Sequence, residues 1–280
     1  MIPQRNISLL SNRLASEGGR RIPEAVLERD YCLAWFLVGL SGLPLSKRLI
    51  FKGGTALKRC YFGDYRFSED LDFTLAEATQ LETILAELED VYVKVQQASG
   101  VLIRHSREDR RKHENSHTFY LAYEGPLPSA SAKEVKVDIT ISEQIVMPVQ
   151  KRPVLKGYDE YSDLPEDAHI LVYALDEILV EKLVALTDPA RNEPRDLYDV
   201  WYLTAKKDLD MFVLTPEITN KLGFRGRALA DMGDAFVKKE ARLGKLWQIR
   251  LANQMATLPH FEEVYRSVRR SLRTAGLMDQ

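Results

Sequence analysis

The pattern of apolar and polar positions is most regular between residues 49 and 75. An apolar run at 49–51 predicts a short buried strand. Two glycines follow it, and apolar residues at helical spacing then predict a helix over 55–62. A second strand is predicted over 70–75, because apolar and polar residues alternate there. This strand–turn–helix–strand order is the centre around which we expect the rest of the chain to fold.

The flanking sequence predicts a mixed α/β fold of the α+β type. Residues 148–165 are rich in Pro, Gly, Asp and Tyr and lack periodicity, which favours a domain boundary. We therefore predict a core domain over 1–160 and a helical domain over 161–280. The remaining predicted elements are helices over 23–38, 78–97 and 175–186, a helix beginning at 194, and strands over 101–107, 117–123 and 135–141.

Composition is ordinary for a globular protein and excludes several classes. The formal net charge of −2 argues against indiscriminate binding of nucleic acid, so any basic surface must be local. The two cysteines, Cys32 and Cys60, have no zinc-site spacing and predict free thiols in a reducing cytosol. The most apolar stretch, residues 31–45, is interrupted and too short to span a bilayer. With no signal-peptide pattern, we expect a soluble, cytoplasmic protein without membrane contact.

The central stretch carries a candidate metal–phosphate site. Strand alternation places Asp70 and Asp72 on one face, where their charges repel unless a cation lies between them. Gly53 and Gly54 permit a sharp turn, after which backbone N–H groups at a helix start favour phosphates. Mg²⁺ on the carboxylates would bridge those phosphates. A tight turn and a solvated edge strand are the simpler alternatives, while a P-loop is excluded by the missing Gly-Lys pair.

A third acidic residue follows on a later predicted strand. Alternation puts Lys136, Asp138 and Thr140 on one face of that strand. A carboxylate on a neighbouring strand would complete the trio that a two-metal transferase uses, with metals ~3.5–4 Å apart. The alternative is an unrelated surface aspartate.

Two charged groups stand out in the predicted helical domain. Glu181 and Lys182 lie at the edge of the apolar stripe of one helix, where an exposed ion pair is the routine interpretation. Asp196 and Asp199 are three residues apart near the start of the next helix and share a face. Acids at that position commonly interact only with the helix dipole.

The last sixty residues are basic. From Lys221 onward the sequence contains twelve Lys and Arg against six Asp and Glu, a formal charge of +6. This asymmetry suits an RNA backbone, with Trp247, Phe261 and Tyr265 as candidates for stacking on bases. A solvated basic helix is the alternative.

Three sequence segments carry a resemblance to a known family. The stretch GGTALKRCYFGDYRFSEDLDF resembles the signature of the AbiEii-type nucleotidyltransferases, which include the MenT toxins and belong to the DNA polymerase β-like superfamily. DEILVEKLVAL and the Arg-Asp-x-x-Asp segment from Arg195 to Asp199 are similar to the family's third and fourth motifs. Thr55 replaces the superfamily's usual serine, and the gap to Asp70 is long, as fits the AbiEii-like branch.

The resemblance implies a nucleotidyltransferase core, a helical lobe that completes the active-site cleft, and a toxin of a toxin–antitoxin or phage-defence pair. It implies transfer of NMP from an NTP to RNA, at the tRNA 3′ end, and an AbiEi-like antitoxin as partner. Small-molecule or protein nucleotidylation and a non-catalytic nucleotide-binding module stay open. Two Mg²⁺, or Mn²⁺, are expected at Asp70, Asp72 and Asp138. Catalysis is further assigned to Lys182 and Asp199, and nucleotide binding to Gly53, Gly54, Thr55, Lys58, Glu181, Lys182, Arg195 and Asp196.

Overall fold

A computed structural model of the chain describes residues 1–111, 113–128 and 133–279. The chain forms two compact units. The first comprises Met1–Glu143, Val149–Tyr173 and Gln254–Ala256, and the second comprises Gln144–Pro148, Ala174–Asn253 and Thr257–Gln280.

The first unit is built on a mixed sheet of seven strands, counted over the described residues, in the order β3-β4-β5-β2-β1-β7-β6. β2 runs parallel to β5 and β1 runs parallel to β7, whereas the other neighbours are antiparallel. The mixed α/β fold predicted from sequence is confirmed. The strands are β1 (Leu49–Lys52), β2 (Leu71–Leu75), β3 (Leu102–Glu108), β4 (Ser116–Glu124), β5 (Lys133–Thr140), β6 (Gln150–Pro153) and β7 (His169–Val172).

The predicted central elements are present. β1 and β2 lie within two residues of their predicted bounds and pair with each other in antiparallel register. The intervening helix begins earlier than expected, as α3 (Gly53–Ala56), and continues as a π-helical turn over Leu57–Tyr61. Gly53 is the first residue of α3 and has a φ of +78°, a conformation that glycine adopts without steric cost.

Two further helices of this unit match helices predicted from the sequence. They are α2 (Glu24–Leu40) and α4 (Leu81–Ser99). α1 (Gln4–Gly18) was not predicted, because only Ile7, Leu10 and Ser11 are buried on it, too few for a clear helical pattern.

The two compact units divide the chain at positions other than the boundary predicted at residue 160. β6 and β7 lie after the start of the aperiodic stretch, and both belong to the sheet of the first unit. The cause is the parallel pairing of β7 with β1, which continues in a 3.0 Å hydrogen bond from Tyr173 N to Phe51 O. Strands this short, with partners far away in sequence, leave little local pattern to detect.

A buried ion pair ties the π-helical turn to α2. Arg59 is fully buried, and its guanidinium forms a salt bridge with Asp30, itself 1% exposed. The same guanidinium donates to the carbonyl oxygens of Asp30 (2.8 Å), Leu155 (3.1 Å) and Lys156 (3.1 Å). Tyr161 Oη donates to Asp30 Oδ2 at 3.2 Å. Arg59 thus links three segments that are distant in sequence.

The second unit is helical throughout its named elements. Its helix α5 has the bounds predicted from sequence. A π-helical turn over Tyr202–Lys206 extends α6. The helices are α5 (Leu175–Leu186), α6 (Pro194–Trp201), α7 (Thr215–Phe224), α8 (Met232–Val237), α9 (Glu240–Leu251) and α10 (Phe261–Thr274).

Two aromatic residues that we expected to stack on bases lie in the core of this unit instead. Trp247 and Tyr265 are each 2% exposed. The indole of Trp247 donates to Pro259 O at 2.9 Å, and the Tyr265 ring stacks on Phe236 with centroids 4.7 Å apart. The prediction that these two rings contact RNA is therefore wrong, since amphipathic helices bury aromatic residues for packing.

We expect Asp30→Ala to lower the free energy of unfolding by about 3–5 kcal/mol, because it leaves the buried Arg59 charge without its partner. Urea unfolding at neutral pH measures this loss. Glu124→Ala is the control, since its pair with Arg104 is exposed and is expected to contribute at most ~1 kcal/mol. Equal losses for the two variants would contradict this role of the Arg59–Asp30 pair.

Candidate active site

Two of the predicted metal ligands are direct neighbours in the sheet. The parallel pairing of β2 with β5 sets Asp72 opposite Asp138. The antiparallel pairs on either side set Lys52 opposite Asp72 and Thr118 opposite Asp138. Residues in register on neighbouring strands project from the same face of a sheet. The four side chains therefore form one row across β1, β2, β5 and β4, which we call the carboxylate row.

Asp70 adjoins the row from the residue just before β2. Its carbonyl oxygen accepts a 2.5 Å hydrogen bond from the Thr55 hydroxyl, which ties it to α3. Its carboxylate acts electrostatically on Lys136, as do those of Asp72 and Asp138. The structure therefore brings the three predicted acids into one electrostatic cluster.

Lys136 is the principal cation of this cluster. Its ammonium lies 2.9 Å from Asp138 Oδ2, while Thr118 Oγ1 donates to Asp138 Oδ1 at 3.1 Å. Partial burial opposes the charged form of Lys136, but the hydrogen bond and charge of Asp138 outweigh it and raise the pKa of the lysine. Lys52, two strands away on β1, donates to Thr140 Oγ1 at 2.9 Å.

Sequence reasoning gave no role to Lys136 or Lys52. The signal for Lys136 was available, because strand alternation already placed it on the face of Asp138. The signal for Lys52 was not, because it depends on the register between β1 and β2.

The donor chemistry of the cluster fits a divalent cation. Carboxylate oxygens are the ligands that Mg²⁺ prefers, and Mg²⁺ usually keeps several waters rather than a full set of protein ligands. Within the part of the chain that the structure describes, no group of three or more His, Cys, Asp and Glu side chains encloses a metal position. Since Asp138 Oδ2 contacts the Lys136 ammonium, a metal ion would compete with that lysine for the same oxygen.

The glycine pair is required by the space around it. A Cβ at position 53 would lie 2.6 Å from Asp72 Oδ2, and one at position 54 would lie 2.6 Å from a terminal nitrogen of Arg66. Arg66 is buried, and its guanidinium donates to Phe67 O at 3.2 Å and to Gln254 Oε1 at 3.1 Å. Gly53 thus lets the turn approach the carboxylate row closely. The binding of a triphosphate by Gly53, Gly54 and Thr55 stays a prediction.

Lys58 is buried in the first unit. It is 1% exposed, and its ammonium donates at 3.0 Å to Gly63 O, Tyr65 O and Tyr158 Oη. Burial lowers the pKa of Lys58 to about 8. Because its three N–H groups already have acceptors, the prediction that it binds phosphate is not supported by this geometry. The sequence did not reveal these acceptors, because Tyr158 is distant in sequence from Lys58.

The second unit brings together Lys182, Asp196 and Asp199. The Lys182 ammonium lies 2.8 Å from Asp196 Oδ1 and 2.8 Å from Asp199 Oδ2. Both carboxylates are at least 99% buried, whereas the lysine side chain is 12% exposed. Arg191 Nε adds a second cation, 2.6 Å from Asp196 Oδ2. We name Lys182, Asp196 and Asp199 the lysine–aspartate cluster.

Ion pairing dominates the electrostatics of this cluster. Burial of Asp196 favours its neutral form, but the charges of Lys182 and Arg191 outweigh that effect, and the pKa of Asp196 falls below its usual range. Both carboxylates therefore hold Lys182 in place.

Two other predicted nucleotide-binding residues are paired elsewhere. Glu181 Oε1 lies 3.5 Å from the buried Lys221 ammonium and 3.8 Å from Arg225. Arg195 lies 3.2 Å from Glu193 Oε2. Glu181 and Arg195 each therefore have an ion-pair partner outside the lysine–aspartate cluster.

Three of the twelve basic side chains from Lys221 onward make interior contacts. Lys221 is fully buried against Glu177, with an Nζ–Oε1 distance of 2.5 Å. Lys239 donates to carbonyl oxygens of Leu186 and Arg191, and burial lowers the pKa of Lys239 to about 8. Arg227 donates to Val184 O at 2.8 Å. Eight basic side chains of this segment are exposed: Arg225, Lys238, Arg242, Lys245, Arg250, Arg266, Arg270 and Arg273.

Comparison with known proteins identifies the class. The family model described as "Nucleotidyl transferase AbiEii toxin, Type IV TA system" matches residues 35–268. The chain therefore belongs to the AbiEii family of nucleotidyltransferase toxins, and membership implies an enzyme with a nucleotide substrate and an antitoxin partner. The resemblance read from the sequence motifs is confirmed.

A solved structure shares the fold. It is MenT4, nucleotidyltransferase toxin Rv2826c from Mycobacterium tuberculosis H37Rv, with a TM-score of 0.59 and 17% identity over 97% of this chain and 90% of that chain. A search of curated proteins gave no match. Among the described residues, no helix is both long and apolar enough to cross a membrane.

The lowered pKa of Asp196 has a consequence for stability against acid. A carboxylate with a depressed folded-state pKa stabilises the fold above its unfolded pKa of about 3.9, and this stabilisation is lost as pH falls through the folded value. We expect the free energy of unfolding of the wild type to fall more steeply from about pH 5 to about pH 3 than that of Asp196→Asn.

Urea titrations at several pH values measure these slopes. Asp231→Asn, which alters an exposed aspartate of the same unit, is the control and should retain the wild-type slope. A wild-type slope in Asp196→Asn as well would contradict the assignment.

Proposed function

We propose that the chain transfers a nucleoside monophosphate from an NTP to a hydroxyl of RNA, at the tRNA 3′ end. The acceptor oxygen would bond to the α-phosphorus, the bond from that phosphorus to the pyrophosphate oxygen would break, and the hydroxyl proton would leave. The observation that carries the proposal is the placement of Asp72 beside Asp138, with Asp70 in the same electrostatic cluster. Because NTPs and RNA are cytoplasmic, we propose the same location for the protein.

Asp70, Asp72 and Asp138 would hold Mg²⁺, with two ions expected and Mn²⁺ as a substitute. The metal would supply charge stabilisation for the attacking and leaving oxygens. Among the chain's own groups, Asp72 and Asp138 give the row its negative charge, and Lys136 compensates part of it when no metal is bound.

The turn at Gly53 is the element of the first unit best suited to receive a triphosphate. It approaches Asp72 closely, because neither glycine carries a Cβ that would collide with Asp72 or Arg66. The Thr55 hydroxyl donates a hydrogen bond to Asp70 O. We therefore assign this hydroxyl to holding the turn in position.

Lys182 is proposed to bind phosphate, as the family motif implies. Ion pairs with Asp196 and Asp199 hold its ammonium group in place, which limits the motion of this long side chain. We therefore assign both aspartates to positioning Lys182 rather than to proton abstraction, since both are buried and already ion-paired.

RNA as the acceptor is supported by the exposed arginines of α10. Arg266 and Arg270 lie one helical turn apart and are exposed. The family's antitoxin is proposed to be of the AbiEi-like type. Transfer to a small molecule or a protein by the same residues is the outcome that a failed RNA test would favour.

Asp72→Asn is expected to lower nucleotidyl transfer about a thousandfold or more, since the metal contributes several kcal/mol to transition-state stabilisation. The amide also lacks the negative charge that binds the ion, so Mn²⁺ affinity, measured by electron paramagnetic resonance, should fall with activity. Asp90→Asn on the exposed face of α4 is the control and should leave both unchanged. A wild-type rate of transfer by Asp72→Asn would show that the carboxylate row is not part of the proposed site.

An RNA acceptor predicts a steep dependence on salt. Phosphate contacts release counterions, so transfer to tRNA should fall log-linearly from about 50 to about 200 mM salt. Arg266→Ala/Arg270→Ala should reduce the slope by up to about two, without changing NTP binding. Arg20→Ala/Arg21→Ala removes equal charge from exposed positions of the first unit and is the control. A flat salt profile would favour a small-molecule acceptor.

A further inference from the structure

The second unit contains a cavity apart from the lysine–aspartate cluster. Its volume is about 570 Å³, within the range of roughly 300–1,000 Å³ typical of small-molecule sites. The lining comes from four neighbouring segments of this unit: the short 3-10 turn Leu229–Asp231, the start of α8, the C-terminal half of α10, and residues 276–279 after α10.

Two arginines of α10 line this cavity. Arg269 and Arg273 are four residues apart, so their side chains leave the same face of the helix. Over the described ranges, no ion pair or hydrogen bond joins either guanidinium to another residue. Arg269 Nε is, in addition, buried and without an acceptor. Arg269 as a whole is half-buried and Arg273 is exposed, so an anionic ligand in the cavity could reach both guanidinium groups and give the buried Nε–H an acceptor.

The rest of the lining restricts the class of ligand. Leu229, Leu277 and Met278 supply apolar surface, and Asp234 and Asp279 supply carboxylates. A simple anion would use the arginines but would be repelled by the aspartates. A nucleotide uses all three: guanidinium groups bind phosphate in bidentate fashion, apolar side chains contact a base, and carboxylates accept from hydroxyl or amino groups.

Two glycines shape the backbone at the rim of the cavity. A Cβ at Gly233 would lie 3.1 Å from Met278 Cγ, so glycine allows the segment after α10 to pack closely against α8. Gly276 has φ of +69° and an open space where a Cβ would be. The segment after α10 therefore packs tightly against α8 on one side of the cavity, while the backbone at Gly276 leaves the other side open.

We propose that this cavity is a second nucleotide-binding site, which takes a nucleoside monophosphate with its phosphate on Arg269 and Arg273. The site is separate from the residues that we assign to transfer, so it extends the proposed function without depending on it. Its occupant would contact the end of α10, the helix that also carries the exposed Arg266 and Arg270.

The test is isothermal titration calorimetry of the full chain with AMP, GMP, CMP and UMP in buffer containing EDTA. Removal of divalent cations prevents metal-mediated binding at the carboxylate row. We expect at least one of the four nucleotides to bind the wild type. The Asp70→Asn/Asp72→Asn variant should bind it equally well.

Two variants then locate the binding. Arg269→Ala/Arg273→Ala should weaken it about tenfold or more. Ala230→Trp should do the same without any change of charge, because Ala230 is an exposed residue of the lining where a large ring would fill the cavity. Thermal unfolding of each variant checks that it is folded.

The matched control is Arg266→Ala/Arg270→Ala, which removes the same charge from the same helix outside the cavity. Its affinity should stay within about twofold of the wild type, since only general electrostatic attraction changes. Absence of binding by all four nucleotides would overturn the proposal. So would equal weakening by the two arginine pairs, or unchanged binding by Ala230→Trp.

Discussion

The pairing of β2 with β5 imposes the constraint on which the site depends. Parallel register places the carboxylates of Asp72 and Asp138 side by side, and like charges at adjacent positions destabilise a sheet. Lys136 offsets part of this repulsion by its 2.9 Å contact with Asp138. The close turn at Gly53 follows from the same register, because a side chain at that position would collide with Asp72. Carboxylate oxygens held side by side in this way are the ligands that a divalent cation prefers.

Cations in this protein serve two distinct purposes. Arg59, Lys58, Lys221 and Lys239 are buried and donate to backbone carbonyls or carboxylates, which joins loops to helices. Long basic side chains can do this because one charged end satisfies several acceptors at once. The positive balance of the last sixty residues therefore overstates the basic surface. The exposed arginines of α10 are part of the charge that remains available to an external polyanion.

The sequence was sufficient to predict the central strands and helix and the grouping of the acidic residues. It was not sufficient to predict the order of the strands in the sheet. Period-2 alternation predicted that Asp70 and Asp72 share one face of a strand, whereas in the structure Asp72 lies on β2 and Asp70 just before it. The position of Asp138 opposite Asp72, and of Lys52 beside it, depends on which strands pair, information that no local pattern contains. The burial of Lys58 and the strand β7 were likewise unpredictable, since both result from contacts distant in sequence.

Incubation of the full-length wild type with each α-labelled NTP, total cellular RNA and Mg²⁺ tests the central claim most directly. The account predicts that one or more NTPs label the 3′ end of RNA, that pyrophosphate is released in equal amount, and that EDTA abolishes both. Labelling of RNA that is insensitive to EDTA would contradict the role of the carboxylate row. The absence of labelled RNA with all four NTPs would contradict RNA nucleotidyl transfer.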